Sequence, residues 1–455
     1  MPDLLARRKA DLEEQFNALP RELNHWKSLT GTPPYDKHHS QIAALSKQME
    51  ALNDEVRKAW NGSEEFVGIQ KAQRDCAAVH TVWNFFRQKL LMRSDPQLGS
   101  YLRAADAYVW ACYEPVLIDR RARNKSQPFR EPPLVTFDSD LSAWALSREQ
   151  EFEPQDDKTG ATRGALFVNA LSAMPIAVLG IPWYTSELLP NLATLAHETG
   201  HVVDSDFGIG ETLQSALATS LQTSPLRDGW SIHWRREVFA DLFACYATGP
   251  AFVWALADSI PDSPGRVKTL KRPSNNEWGL YPPATLRILL NLEALRELGH
   301  TAEADRIQTY WTADYAEHAM ADHLSDLDQV VKAVYSAAAL PATLNYAQLD
   351  EQQKSVYRQV VTLNTDLRLK DPFNPRSLVG VASQVQREVP ANALKATVWE
   401  RLQRHMVEAR PPGLLDGQRE RTRTGAGVPL RTEELARLMF SGGNSTPGER
   451  QEPQP

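Results

Sequence analysis

From Gly164 to Ser186 the chain carries no charged residue. A run of that length must either cross a membrane or be buried inside a folded body. Pro175, Gly180 and Pro182 interrupt it, and Asn169 and Ser172 add polar groups that a lipid-facing helix would leave unsatisfied. The pattern instead predicts two buried strands joined by a turn, ALFVN at 165–169 and IAVLGIPW at 176–183. Set among long stretches of helical spacing, they place the chain in the α+β class, mostly helical, with a small mixed sheet. The opening residues, MPDLLARRKADLEEQF, carry Asp3, Asp11, Glu13 and Glu14 and lack the apolar core of a signal peptide. Cys76, Cys112 and Cys245 are odd in number and far apart, so they form neither a disulfide framework nor a metal knuckle. A reducing, cytoplasmic setting is expected. The net charge of -7 speaks against nucleic acid as a partner, because nucleic-acid-binding domains carry a basic excess.

A chain of 455 residues is long for a single domain. Residues 1–128 read as a helical N-terminal domain, in which Leu12, Phe16, Leu19 and Leu23 step at helical intervals. Further helical segments are expected at 41–60, 68–94 and 98–118, with Trp83, Phe85, Phe86, Tyr108 and Trp110 supplying core. Residues 129–345 form a second domain: a strand at LVTF, the uncharged run, and then helices at 233–248, 285–298, 302–323 and 325–338. A helical C-terminal region covers 346–410, and 411–455 is a mobile tail low in apolar residues. A short amphipathic helix near 432–440 could dock Leu435, Leu438 and Met439 on a protein partner.

The chemistry concentrates at His197-Glu198-Thr199-Gly200-His201, an HExxH. On a helix, positions i and i+4 share a face, so His197 and His201 can present two imidazoles to one metal ion. Glu198 stands one residue on, near enough to hold a metal-bound water without taking a ligand position. Neutral imidazoles suit Zn²⁺, and three protein ligands with one open position make a catalytic site. The leading third ligand is Glu237, in WRREVFADLFA. There Glu237, Ala240, Asp241, Ala244 and Thr248 form a narrow face of mostly small residues, which lets the helix approach the HExxH helix closely. Asp204 or Asp206, Glu211 and His233 are the rival third ligands. Asp241, one turn after Glu237, could accept the free ring N–H of His197.

HETGH followed by E-x-x-A-D resembles the gluzincin metallopeptidases, whose third zinc ligand is a glutamate on a later helix. Carried over, the resemblance implies a zincin-like core with His197, His201 and Glu237 as ligands of one zinc ion. It makes Glu198 the catalytic base, Asp241 the orienting carboxylate and a peptide or protein the substrate. The string from Glu237 is also similar to the E-x-x-A-N-x-F-A of the peptidases that cleave phage-type repressors, except that Asp241 stands where they have Asn. Tyr281 in the Tyr-Pro-Pro turn, His233, Tyr246 and Arg287 are the candidate donors to a developing oxyanion. In this clan an edge strand beside the active-site helix holds the substrate by main-chain pairing. The segment 175–183 could be that strand or a buried central one. A regulatory or inactive metallopeptidase-like protein acting through a partner is the alternative function. His318, Asp322, His323 and Asp326 read as a solvated helix face rather than a second metal site.

Overall fold

The computed structural model describes residues 4–63, 65–140, 142–148, 174–271, 277–316, 320, 323–361, 373–390 and 392–408. They divide into two compact units, one of residues 4–91 with Arg148 and 174–176, the other of 92–147 and 177–408. Among the described residues no helix is long and apolar enough to cross a membrane. The strand expected at 165–169 and the amphipathic segment at 432–440 lie outside the described residues, as do His318 and Asp322.

In the first unit, α1 (Leu4–Leu29), α2 (His39–Trp60) and α3 (Phe66–Leu91) pack pairwise into a three-helix bundle. The apolar stripe of α1 does what its spacing demands: Leu12, Phe16, Leu19 and Leu23 are all buried. Trp26 closes the core, edge-on to both Tyr35 and Trp83 at ring separations of 5.2 and 5.9 Å.

The second unit begins with α4 (Gly99–Arg123), buried along almost its whole length. The sequence reading groups α4 with the N-terminal helices, but its buried faces pack on elements of the second unit instead. These include β1 (Leu134–Asp138) and the helix that carries the HExxH. Its apolar surface is nearly all round, so periodicity alone could not say which partners it serves.

Next come β2 (Trp144–Leu146) and β3 (Val178–Pro182), giving a sheet of order β1-β3-β2. β3 pairs parallel with β1, from Leu134 opposite Val178 to Asp138 opposite Pro182, and antiparallel with β2. All five β3 residues are buried. This corrects the edge-strand reading of 175–183: β1 and β2 already flank residues 178–180, leaving no open main-chain edge there. The buried-centre alternative is the one observed, because a strand pairs on each side of the run.

Helices then follow almost without interruption: α5 (Thr194–Phe207), α6 (Gly210–Ser220), α7 (Arg235–Thr248), α8 (Pro250–Ser259) and α9 (Ala284–Glu297). The rest are α10 (Thr301–Tyr315), α11 (Leu324–Ala338), α12 (Asp350–Val361), α13 (Pro375–Glu388) and α14 (Asn392–Glu408). The described chain is therefore mostly helical with a small mixed sheet, as the sequence predicts. The short helices α6 and α8 are additions to that reading.

The C-terminal helices are not a separate layer. α13 and α14 pack on α4, and α13 also contacts α7 and α8. Arg376 is almost fully buried and donates to the carbonyls of Ala247, Leu344 and Thr343, gripping the C-terminal end of α7.

The sheet is tied to α4 by a buried ion pair. Arg93 donates to both carboxylate oxygens of Asp106, at 3.1 and 2.7 Å, and to the carbonyl of Val135 at 2.6 Å. Removing one member of such a pair strands the other charge, at a cost of about 3–5 kcal/mol. Arg93→Met is therefore expected to lose stability on that scale in urea unfolding, and Arg93→Met with Asp106→Leu to recover much of it. A single variant as stable as wild type would show that the pair carries no weight.

Candidate metal centre

The site is built where α5 and α7 cross antiparallel. α5 is buried from Leu195 to Asp204 and stops at Gly208, whose φ of +61° and N–H to the Asp204 carbonyl form a left-handed cap. The approach to α7 passes through a single-turn π-helix, Gly229–His233. Asp326 of α11 holds this segment: its buried carboxylate accepts from Ser224 Oγ and from Trp230 Nε1. Asp326 thus anchors the lead-in to α7 and is not the solvated side chain expected from its acidic neighbours.

The contact between α5 and α7 depends on small residues. A Cβ on Gly200 would sit 2.9 Å from Ala240 Cα and 3.2 Å from Phe243 Cδ1. Ala240 belongs to the small-residue face that the sequence predicts for α7. With the backbones this close, His197 faces Asp241 and His201 faces Glu237.

Three side chains converge there. His197 Nε2 and His201 Nε2 are 3.2 Å apart, His197 Nε2 is 3.2 Å from Glu237 Oε2, and His201 Nε2 is 3.5 Å from Glu237 Oε1. His197 and His201 are buried, and Glu237 is largely so. Among the described residues this is the group that could hold a metal ion. Buried Glu237 Oε2 has no well-aligned hydrogen-bond donor, which is costly unless something positive occupies the space it faces.

The electrostatics favour positive charge at the same point. Burial opposes a charge on His197, but Asp241, Glu237 and Glu198 outweigh it and lift the imidazole to about 10. Burial likewise opposes ionisation of Glu237, yet His201 and His197 hold its carboxyl well below the usual range.

Behind His197 stands a second layer. Its Nδ1 lies 2.8 Å from Asp241 Oδ1. Asp241 is 1% exposed, and α9 supplies its counter-charge. Arg287 Nε donates to Oδ2 at 2.8 Å and Nη2 to Oδ1 at 2.7 Å, with Asn291 Nδ2 at 3.4 Å from Oδ2. Arg287 thus serves Asp241, although the sequence reading offers it only as an oxyanion donor. A lone buried aspartate at 241 was the available signal that some cation must face it.

The other predicted residues are placed variously. Glu198 is buried on α5, next along the chain from His197. Tyr281 is half-exposed in the turn before α9, its ring 5.2 Å from Arg287 Cζ. The charge of Glu237 and then burial push its phenol up to about 12. His233 is exposed and stacks on Trp278 at 6.1 Å. Tyr246 packs against Tyr335 of α11 at 5.4 Å.

Of the rival ligands, Asp206 accepts from Tyr113 of α4, and Glu211 is exposed in the first turn of α6. Asp204 is buried near Arg235 and Arg236. No family model, curated protein or solved structure matches this chain.

Gly200→Ala measures the closeness of the two helices. The added methyl gains about 1 kcal/mol of helix propensity and loses about 1–3 kcal/mol to overpacking against Ala240. A net loss of stability, with weaker metal binding and unchanged helix content by circular dichroism, is the expected result. Unchanged melting and metal affinity would mean that the helices have room to spare.

Proposed function

We propose that this chain is a zinc-dependent peptidase with a zincin-like core, in which His197, His201 and Glu237 hold the ion and Glu198 is the general base. The observation that carries the reading is the convergence of two imidazoles and one carboxylate. Tetrahedral zinc bonds of about 2.0–2.2 Å put ligand atoms about 3.3–3.6 Å apart. The two Nε2 atoms are 3.2 Å apart, and each lies within 3.5 Å of one Glu237 oxygen, Oε2 for His197 and Oε1 for His201. Two imidazoles and one carboxylate from two helices leave a fourth position open, the pattern of a catalytic ion rather than a structural one.

When bound, zinc lowers the pKa of a coordinated water to about 7 and polarises a substrate carbonyl. The chain's own groups do the rest. Glu198 takes a proton from the attacking water and delivers it to the leaving amine nitrogen, so that the C–N bond breaks without expelling an amide anion. Tyr281 remains a phenol at neutral pH and donates its O–H to the developing oxyanion. Asp241 orients His197. His233, stacked on Trp278, shapes the wall before α7 and takes no direct part.

The test joins metal analysis to peptide cleavage. Wild type is expected to hold about one zinc per chain and to cleave members of a peptide library. Glu198→Gln should keep zinc and lose about 10²–10⁴-fold in rate. Tyr281→Phe should lose about 10²–10³-fold, and His233→Ala much less. Glu237→Ala should bind zinc poorly. A folded wild type without bound metal would refute the proposal. Bound zinc without cleavage of any peptide would turn the reading toward a regulatory or inactive relative that acts through a partner.

A further inference from the structure

The layer behind His197 contains more than an orienting carboxylate. Asp241 is buried on α7 with almost no contact with water, where an ionised carboxylate persists only beside a compensating charge. That charge comes from another element, α9, as a two-toothed fork: Arg287 Nε on one oxygen and Nη2 on the other. The fork fixes the carboxylate plane as well as its charge, because both oxygens are held by one rigid guanidinium. Oδ1, the oxygen beside Nη2 of Arg287, is also the one 2.8 Å from His197 Nδ1. Any rotation of the carboxylate that broke the fork would also shift this contact and swing the imidazole whose Nε2 faces Glu237.

The geometry points to Arg287 as a positioning residue for His197. It acts through Asp241 and touches neither the ion nor the substrate, so that Asp241 and Arg287 form a charge pair that can be exchanged only together. Neither partner is neutral alone: Asp241→Asn would strand the buried guanidinium, and an apolar residue at 287 would strand the carboxylate. An uncharged pair, asparagine on α7 opposite an apolar side chain on α9, would strand nothing. The inference rests on the metal-site reading above.

The experiment measures zinc affinity of the full chain by competition with a chromophoric chelator. It uses wild type, Arg287→Met, Asp241→Asn and the double variant, with thermal unfolding of each metal-free protein alongside. Arg287→Met should weaken zinc binding about 10–100-fold, the range for outer partners of metal-bound histidines. The double variant should bind zinc no more weakly than Asp241→Asn alone, because an uncharged amide at 241 needs no guanidinium behind it and leaves none stranded.

Losses that multiply in the double variant would show that Arg287 acts on the ion directly and would overturn the proposal. So would an Arg287→Met protein that melts earlier but binds zinc like wild type, the result of a merely structural ion pair. If Arg287→Met does not fold, the comparison of Asp241→Asn with the uncharged double variant decides on the same criterion. A wild type that binds no zinc would instead remove the metal reading itself, and this inference with it.

Discussion

The close crossing of α5 and α7 is the constraint on which the rest depends. Gly200 lies against Ala240 with no space for a β-carbon between them, and the pairing of His197 with Asp241 and of His201 with Glu237 follows from that one approach. A side chain's reach is only a few ångströms, so the close approach lets Asp241 meet His197 and Glu237 meet both imidazoles. Small residues on both faces convert sequence spacing into a cluster of three side chains.

That closeness is held from outside. Arg376 grips the C-terminal end of α7, Asp326 secures the segment leading into it, and Arg287 and Asn291 of α9 close on Asp241 from the side. Each is a buried polar or charged group whose partners lie on a different element, so each fixes an orientation as well as adding contact. Apolar packing alone tolerates small shifts. A buried guanidinium fork does not, because a lost bond leaves an unpaired charge where water cannot replace it. The same device recurs at Arg93 and Asp106, which bind α4 to the sheet.

Much of this was legible beforehand, and for identifiable reasons. The stripe Leu12, Phe16, Leu19, Leu23 marked a buried helical face because its period is that of a helix. HETGH and the Glu237–Ala240–Asp241 face could be put together because i, i+3 and i+4 positions share one side. What stayed hidden was partnership over distance. Nothing in the spacing of Arg287 says that it faces Asp241, nor does the acidity around Asp326 say that this residue is buried under Trp230. β3 read equally well as an edge or a centre, since its apolar run is the same in both; only the presence of β2 on its second side decided it.

The sequence by itself determined the local chemistry: which segments coil, which face of each is small or apolar, and which donors stand one helical turn apart. Those properties depend on neighbours within a few residues, and the chain carries them wherever it goes. The tertiary structure alone decided that α4 belongs with the second unit, that the sheet closes over β3, and that a cation from α9 stands behind the orienting carboxylate. Those outcomes join residues far apart along the chain. Their common cause is the cost of leaving a buried charge, strand edge or apolar face without a partner, a cost that arises only once the chain is packed.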